Sequence, residues 1–218
     1  MSKIVVFGAS GMIGRRVVDE ALARGHQVTA VARDAARITA AADGLTVAAG
    51  DASDSSSVAG LALGADVVVN AVGPSPEPDA DAAAALLAAA DGLIDGLRPL
   101  GEAAPLLIVV GGAGSLEVAP GTRLVDLPDF PDSYKPAALA HAATLDHYRK
   151  AVDLAWTYLS PAAEIVPGER TGVFRLGDDE LVVDDDGKST VSAEDYAVAV
   201  LDEAEEPRHL GRRFTLGY

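Results

Sequence analysis

Short β-branched runs alternate along this chain with longer stretches whose apolar residues recur every three or four positions. The runs at Ile4–Phe7, Gln27–Ala32, Leu45–Ala48, Ala65–Ala71, Leu106–Val110 and Trp156–Leu159 predict strands. Between them, helical spacing predicts helices from Met12 to about Arg24, Ser57–Leu63, Asp79 to about Leu100 and Ala137 to Leu154. In the first helix Ile13, Val17, Val18 and Leu22 share the apolar face. The fourth run has Val67, Val68 and Val69 in succession at its centre, as expected of a strand covered on both faces. Strict β–α alternation of this kind predicts an α/β fold with a doubly wound, Rossmann-type parallel sheet.

The pattern changes after Pro161. Val173–Leu176 and Leu181–Val183 read as short strands separated by acidic turns, Phe214–Tyr218 as a last strand, and Ser192–Glu205 as a capped helix with Glu194 and Asp195 in its first turn. No repeat or linker interrupts the chain. The expectation is one domain over residues 1–218, in which 162–218 contribute a small substrate lobe. A Pro-rich stretch from about Val118 to Pro136 has no clear period, as binding loops and lids often have none.

The first strand runs straight into Gly8, Gly11 and Gly14. In that context each glycine has a use: a sharp turn out of the strand, a close approach of phosphate to the backbone, and tight packing of helix on strand. The helix start then aims free N–H groups and the positive end of its dipole at a pyrophosphate. Composition narrows the ligand. Formal net charge is −16 and there are only four lysines, which disfavours nucleic acid and polyanionic surfaces. An anionic cofactor must therefore be met by local cations. With no cysteine, disulfide and thiolate chemistry are excluded. The apolar runs are Ala-rich and interrupted by charge, so no membrane span is expected. Strand one begins too early to leave room for a signal peptide, and a cytoplasmic location is expected. Metal-ligand and hydrolase signatures are missing: there is no H-E-x-x-H, and the G-x-S-x-G spacing fails at Ser10 because Met12 stands where the last glycine should be.

Arg33 ends strand two, where a dinucleotide fold meets the adenosine ribose. Arginine there favours a 2′-phosphate, an acidic residue the free hydroxyl. Asp34 follows, while Ser10 and Arg37 could add contacts. NADP(H) is expected, with NAD(H) second.

GASGMIG (8–14), VARD (31–34), GDASD (50–54), NAVGPS (70–75), VVGGAGSL (109–116) and WTYLSPA (156–162), followed by PGERTGVFRLG (167–177), VSAEDYA (191–197) and RFTLGY (213–218), together resemble the atypical short-chain dehydrogenase/reductases of the NAD(P)H-binding group. That group includes NADH-flavin-reductase-like and biliverdin-reductase-B-like proteins and NADPH-sensing regulators. The resemblance spans nearly the whole chain. It implies a cofactor held by Gly8, Ser10, Gly11, Met12, Ile13 and Gly14, by Arg33, by Asp51 and Ala52 at the adenine edge, by Ala71, Val72 and Gly73 under the ribose, by Gly111 and Gly112, and by Pro161. Small residues after strand five would keep room beside the nicotinamide. Asn70, inside its strand, reads as a satisfied core polar group.

Standard enzymes of the superfamily use Tyr-x-x-x-Lys, in which the lysine lowers the pKa of a proton-delivering tyrosine. Here Tyr134, Tyr148, Tyr158 and Tyr196 are followed at that spacing by Ala138, Val152, Ala162 and Val200. Carbonyl reduction or sugar-nucleotide epimerisation through the usual relay is thus disfavoured. Hydride transfer to a flavin-like or quinone-like acceptor needs less help, because solvent can supply the proton. A non-catalytic redox sensor acting on a protein partner is the alternative. Candidate catalytic residues are Ser115, which either bonds a substrate carbonyl or caps a turn; Tyr134, which with Phe130 and Phe174 could line a planar acceptor; and His141, either an acid or phosphate partner or a structural residue.

Overall fold

The computed structural model describes residues 1–74 and 82–218. In chain order the main elements are β1 (Lys3–Phe7), α1 (Met12–Ala23), β2 (Gln27–Ala32), β3 (Leu45–Ala49), α2 (Ser55–Ala62), β4 (Val67–Asn70), α3 (Ala82–Leu97) and β5 (Leu106–Val110). There follow β6 (Glu117–Ala119), β7 (Thr122–Arg123), α4 (Lys135–Lys150), β8 (Trp156–Ser160), β9 (Glu164–Val166), β10 (Arg175–Gly177), β11 (Thr190–Ser192), α5 (Ala193–Glu205) and β12 (Arg212–Gly217). The expected helix start at Asp79 and the Ser75 of the NAVGPS stretch lie outside the described residues.

The strands form one eight-stranded sheet in the order β10-β12-β8-β5-β4-β1-β2-β3, parallel except for β10. β1 sits between β2 and β4, with Ile4 opposite both Val28 and Val67. Alternate side chains of each strand therefore feed two cores. Ile4, Val6, Val28, Val69, Ile108, Leu159 and Phe214 pack under α1 and α5, while Val5, Phe7, Val31, Val68, Leu107 and Val109 pack under α2, α3 and α4. The result is the expected Rossmann-type three-layer sandwich.

The chain beyond Pro161 both extends this sandwich and builds a small addition to it. β12 lies parallel to β8, β10 closes the edge antiparallel to β12, and α5 covers the sheet beside α1. Ser192 caps α5 by accepting the Asp195 N–H at 2.9 Å, as the Ser-x-x-acid order predicts. Outside the sheet, β9 and β11 pair in parallel. Two expectations need correction. Leu181–Val183 is not a strand: Leu181 N–H instead donates to the Glu117 carbonyl at 2.8 Å, tying the 178–181 turn to the segment after β5. The Pro-rich stretch is not structureless either. It starts with the β6–β7 hairpin, and Val125 is buried with its N–H on the Gly114 carbonyl at 2.9 Å. Apolar spacing could not show this, because main-chain bonds hold the hairpin and Val125 alone of residues 118–136 is fully buried.

Candidate active site

Because β1 to β5 and β8 run parallel, the loops after them emerge along one edge of the sheet. The strand order reverses between β1 and β4, the place where ligands of such sheets bind. The three glycines at this point do different jobs. Gly8 has φ +77°, and a Cβ there would lie 2.4 Å from the Ala71 carbonyl oxygen. A Cβ on Gly14 would lie 2.2 Å from the Gly8 carbonyl oxygen, so α1 reaches the strand only without one. Gly11 is exposed in extended backbone, and its Cβ would meet nothing nearer than the Gly8 oxygen at 3.2 Å. Two glycines shape the loop and the third leaves room over it. No side chain caps α1 at Gly11, so its first N–H groups are free for an anion. Ser10, Met12 and Ile13 flank this shelf, Ile13 half-buried against the core.

Arg33 leaves β2 exposed. The carboxylate of Asp34 is occupied elsewhere, accepting the Ala36 N–H at 3.1 Å to cap a short helical turn. Asp51, after β3, accepts from the Ser53 N–H and hydroxyl at 2.9 and 2.8 Å. The Ser53 N–H, with the Arg33 charge nearby, holds that carboxyl below the ordinary aspartate range. Ala52 is buried. Among the described residues Arg15, Arg33 and Arg37 have no polar side-chain partner. Arg175 bonds main-chain carbonyls, and the other arginines each meet a carboxylate. In so acidic a chain, three free guanidinium groups following β1 and β2 are a local exception. Arg15, one residue past Gly14, went unnoticed in the sequence because its free state depends on where distant carboxylates land.

Across the switch point, Asn70 is buried. Its amide donates to the Tyr148 hydroxyl at 3.2 Å and its oxygen accepts the Val72 N–H at 3.1 Å, so it shapes the exit through Ala71, Val72 and Gly73. Gly73 is exposed, with open space where a Cβ would be. Gly111 and Gly112 do not hold room open as expected. A Cβ on Gly111 would lie 2.0 Å from the Tyr158 ring, and one on Gly112 would lie 2.9 Å from the His141 ring. These glycines let the loop settle onto the Tyr158 and His141 rings. The Tyr158 hydroxyl donates to the His141 carbonyl at 2.9 Å, and burial pushes its pKa up to about 12. Burial also raises Tyr148 and Tyr196, the latter donating to the Leu159 carbonyl at 2.6 Å. Pro161 is buried just past β8.

The candidate catalytic residues fare differently. Burial lowers the His141 pKa to about 4, so at pH 7 the imidazole is neither a protonated acid nor a cation for phosphate. Tyr134 immediately precedes α4 and is 67% exposed. Phe130 and Phe174 are both half-buried, Phe174 packed against the α1–α5 core. Ser115 is half-buried, and its Oγ accepts from Arg213 Nη1 at 2.8 Å. Arg213, a residue sequence reasoning did not single out, is itself buried.

A model of the NAD(P)H-binding family matches residues 8–207. The chain belongs to the NAD(P)H-binding family. Similar solved structures share its full length. An exported protein of Burkholderia pseudomallei, named putative, is 46% identical, with a TM-score of 0.88 and 100% of both chains covered. A Bacteroides thetaiotaomicron protein named a putative epimerase is 40% identical, with a TM-score of 0.89 over 100% of this chain and 97% of the other. One from Streptococcus pneumoniae named a putative NADH-flavin reductase is 32% identical, with a TM-score of 0.86 over 100% and 99%. Chains similar to this one thus carry names from different reaction classes on one frame. The glycine loop, the open α1 start and the free arginines of this member fit a nicotinamide dinucleotide. Among the described residues no cluster of His, Asp and Glu could hold a metal, and no helix is long and apolar enough to cross a membrane.

Proposed function

We propose that this chain is an NADPH-preferring oxidoreductase acting on a flavin-like or quinone-like acceptor, with the proton drawn from solvent. One observation carries the cofactor choice: Arg33 and Arg37 are unpaired at the end of β2, while the competing carboxylate of Asp34 is spent on a cap. Bound at the glycine loop, the reduced nicotinamide supplies a hydride. The chain's own part is to bind and orient. Gly8–Gly14 and the α1 start would receive the pyrophosphate, Arg33 and Arg37 the 2′-phosphate, and Asn70, by holding the Val72 N–H, fixes the backbone that would lie beneath the ribose. The missing proton relay supports the acceptor class. Tyr148, Tyr158 and Tyr196 are buried with their hydroxyls engaged by protein, and His141 is neutral. A ring that spreads incoming charge does not need a positioned acid. The similarity to the streptococcal protein points the same way. We place the protein in the cytoplasm, where fractionation of its native host would test it. The functional test is oxidation of NADPH with a panel of free flavins and quinones. Turnover supports the reading; tight NADPH binding without turnover on any of them favours the sensor.

A further inference from the structure

Arg213 leaves only 4% of its side chain exposed. It stands opposite Tyr158 in register and projects from the face of β12 opposite the one on which Phe214 packs. Its Nε donates to Asp179 at 2.8 Å, Nη2 reaches the same carboxylate, and Nη1 donates to Ser115 Oγ at 2.8 Å. The fold brings these groups together deliberately. The Glu117 N–H bonds the Asp179 carbonyl at 2.8 Å, docking the 178–181 turn beside the loop that follows β5. Arg149 also lies near, its Nη2 3.8 Å from Asp179. A buried guanidinium is costly to keep and is tolerated only when well paired.

A guanidinium has no lone pair to offer, so Ser115 must be the acceptor in its contact with Arg213. The hydroxyl hydrogen is therefore free to point elsewhere, and it has no acceptor among the described residues. A positive charge behind the oxygen also makes the O–H a stronger donor. We propose that Arg213, held by Asp179, is a positioning residue that fixes Ser115 as a one-way hydrogen-bond donor to the carbonyl oxygen of the acceptor. The inference rests on the oxidoreductase reading above. When the hydride leaves the reduced nicotinamide and bonds to the acceptor ring, the ring's π pair moves onto that carbonyl oxygen. The nicotinamide is oxidised and the acceptor reduced by two electrons. Ser115 stabilises the resulting oxyanion and keeps its own proton, while water protonates the product. Substrates with a carbonyl at the ring edge, quinones and isoalloxazines, are favoured over flat molecules without one.

The test uses the full chain with NADP⁺, which cannot react, and equilibrium dialysis of menadione against 2-methylnaphthalene, its analogue without carbonyls. The wild type should prefer menadione by about fivefold or more, the worth of one hydrogen bond. Ser115→Ala and Arg213→Gln should each abolish that preference, and the double variant should be no worse than either alone. In turnover with NADPH, both single variants should lose about tenfold or more in kcat/KM for menadione, about what one charge-strengthened contact supplies. Arg213→Lys keeps the buried charge but not the fork, and covers the case in which the Gln variant fails to fold. It should lose part of the preference. Unchanged discrimination in either folded Arg213 variant, or additive losses in the double variant, would overturn the role of Arg213 alone. A wild type that binds NADP⁺ but shows no affinity for menadione would overturn the acceptor reading and this inference with it.

Discussion

Replacing the three glycines of the nucleotide loop one at a time should separate folding from binding. Gly8→Ala forces a side chain into φ +77° and places its Cβ 2.4 Å from the Ala71 carbonyl oxygen. The left-handed backbone costs roughly 1–2 kcal/mol and the overlap about 1–3 kcal/mol more. Gly14→Ala places its Cβ 2.2 Å from the Gly8 carbonyl oxygen, a backbone atom that has little room to give. The gain in helix propensity, about 1 kcal/mol, offsets only part of that overlap. Gly11 behaves otherwise. Its φ of −79° and ψ of 174° suit any residue, and its Cβ would meet only the Gly8 carbonyl oxygen, at 3.2 Å. Gly11→Val should therefore cost about 1 kcal/mol or less, the loss of a tolerated helix cap. For a chain of this size each kcal/mol moves Tm by about 2–4 °C. Thermal melts should thus place Gly8→Ala roughly 5–20 °C below the wild type and Gly11→Val within a few degrees of it. Calorimetric titration with NADPH should show the reverse order for the folded proteins, with Gly11→Val binding undetectably. A Gly11→Val protein that binds NADPH normally would refute the reading of the loop.

Arg33→Ala should remove most of the preference for NADPH over NADH, which a charge-assisted contact sets at roughly tenfold; equal affinities in the wild type would remove the cofactor assignment but not the fold. Tyr134→Phe, Ser115→Ala and His141→Ala should each lower kcat on menadione by less than about 100-fold, below the usual contribution of a general acid, and complete loss in one of them with cofactor binding intact would identify a dedicated proton donor. His141 has a folded pKa of about 4 against an ordinary 6.5, so the unfolded chain binds a proton between these values that the folded chain does not. Stability should fall as pH drops from 6.5 towards 4, by up to about 3 kcal/mol, and His141→Gln should flatten that part of the profile in pH-resolved melts. Glu20 acts further down: hydrogen bonds from Arg170 and Arg24 hold its pKa at about 2, so its contribution is present above the ordinary glutamate range and lost as pH falls towards 2. Glu20→Gln should steepen no loss above pH 5 but remove the late acid step.

The sheet and its binding edge were legible because their signals are local. Valine runs mark strands covered on both faces, and the Gly8, Gly11 and Gly14 spacing marks the turn into α1. Asn70 also read correctly, since one polar residue within a buried strand must find a partner, and it finds Tyr148. What the sequence hid was set by pairing across long separations. Arg213 lies next to Arg212, just before the strand expected at Phe214–Tyr218, and nothing local marks it as different from its neighbour, yet it is buried and joined to Ser115, 98 positions away. Gly111 and Gly112 looked like room for a ligand because nothing local shows that Tyr158 and His141 press against them. The free state of Arg15 was equally hidden, while its neighbour Arg16 is taken by Glu194 at 2.6 Å.

The central claim is that a dinucleotide site with free arginines and no positioned acid passes a hydride to a carbonyl-bearing ring. The most direct measurement is the initial rate at which the near-ultraviolet absorbance of NADPH disappears when the purified protein is mixed with FMN, riboflavin or menadione. The account predicts saturable, enzyme-dependent loss with at least one of these acceptors, faster with NADPH than with NADH at concentrations below KM. No loss above the uncatalysed rate with any of them, from protein that binds NADPH tightly, would contradict it.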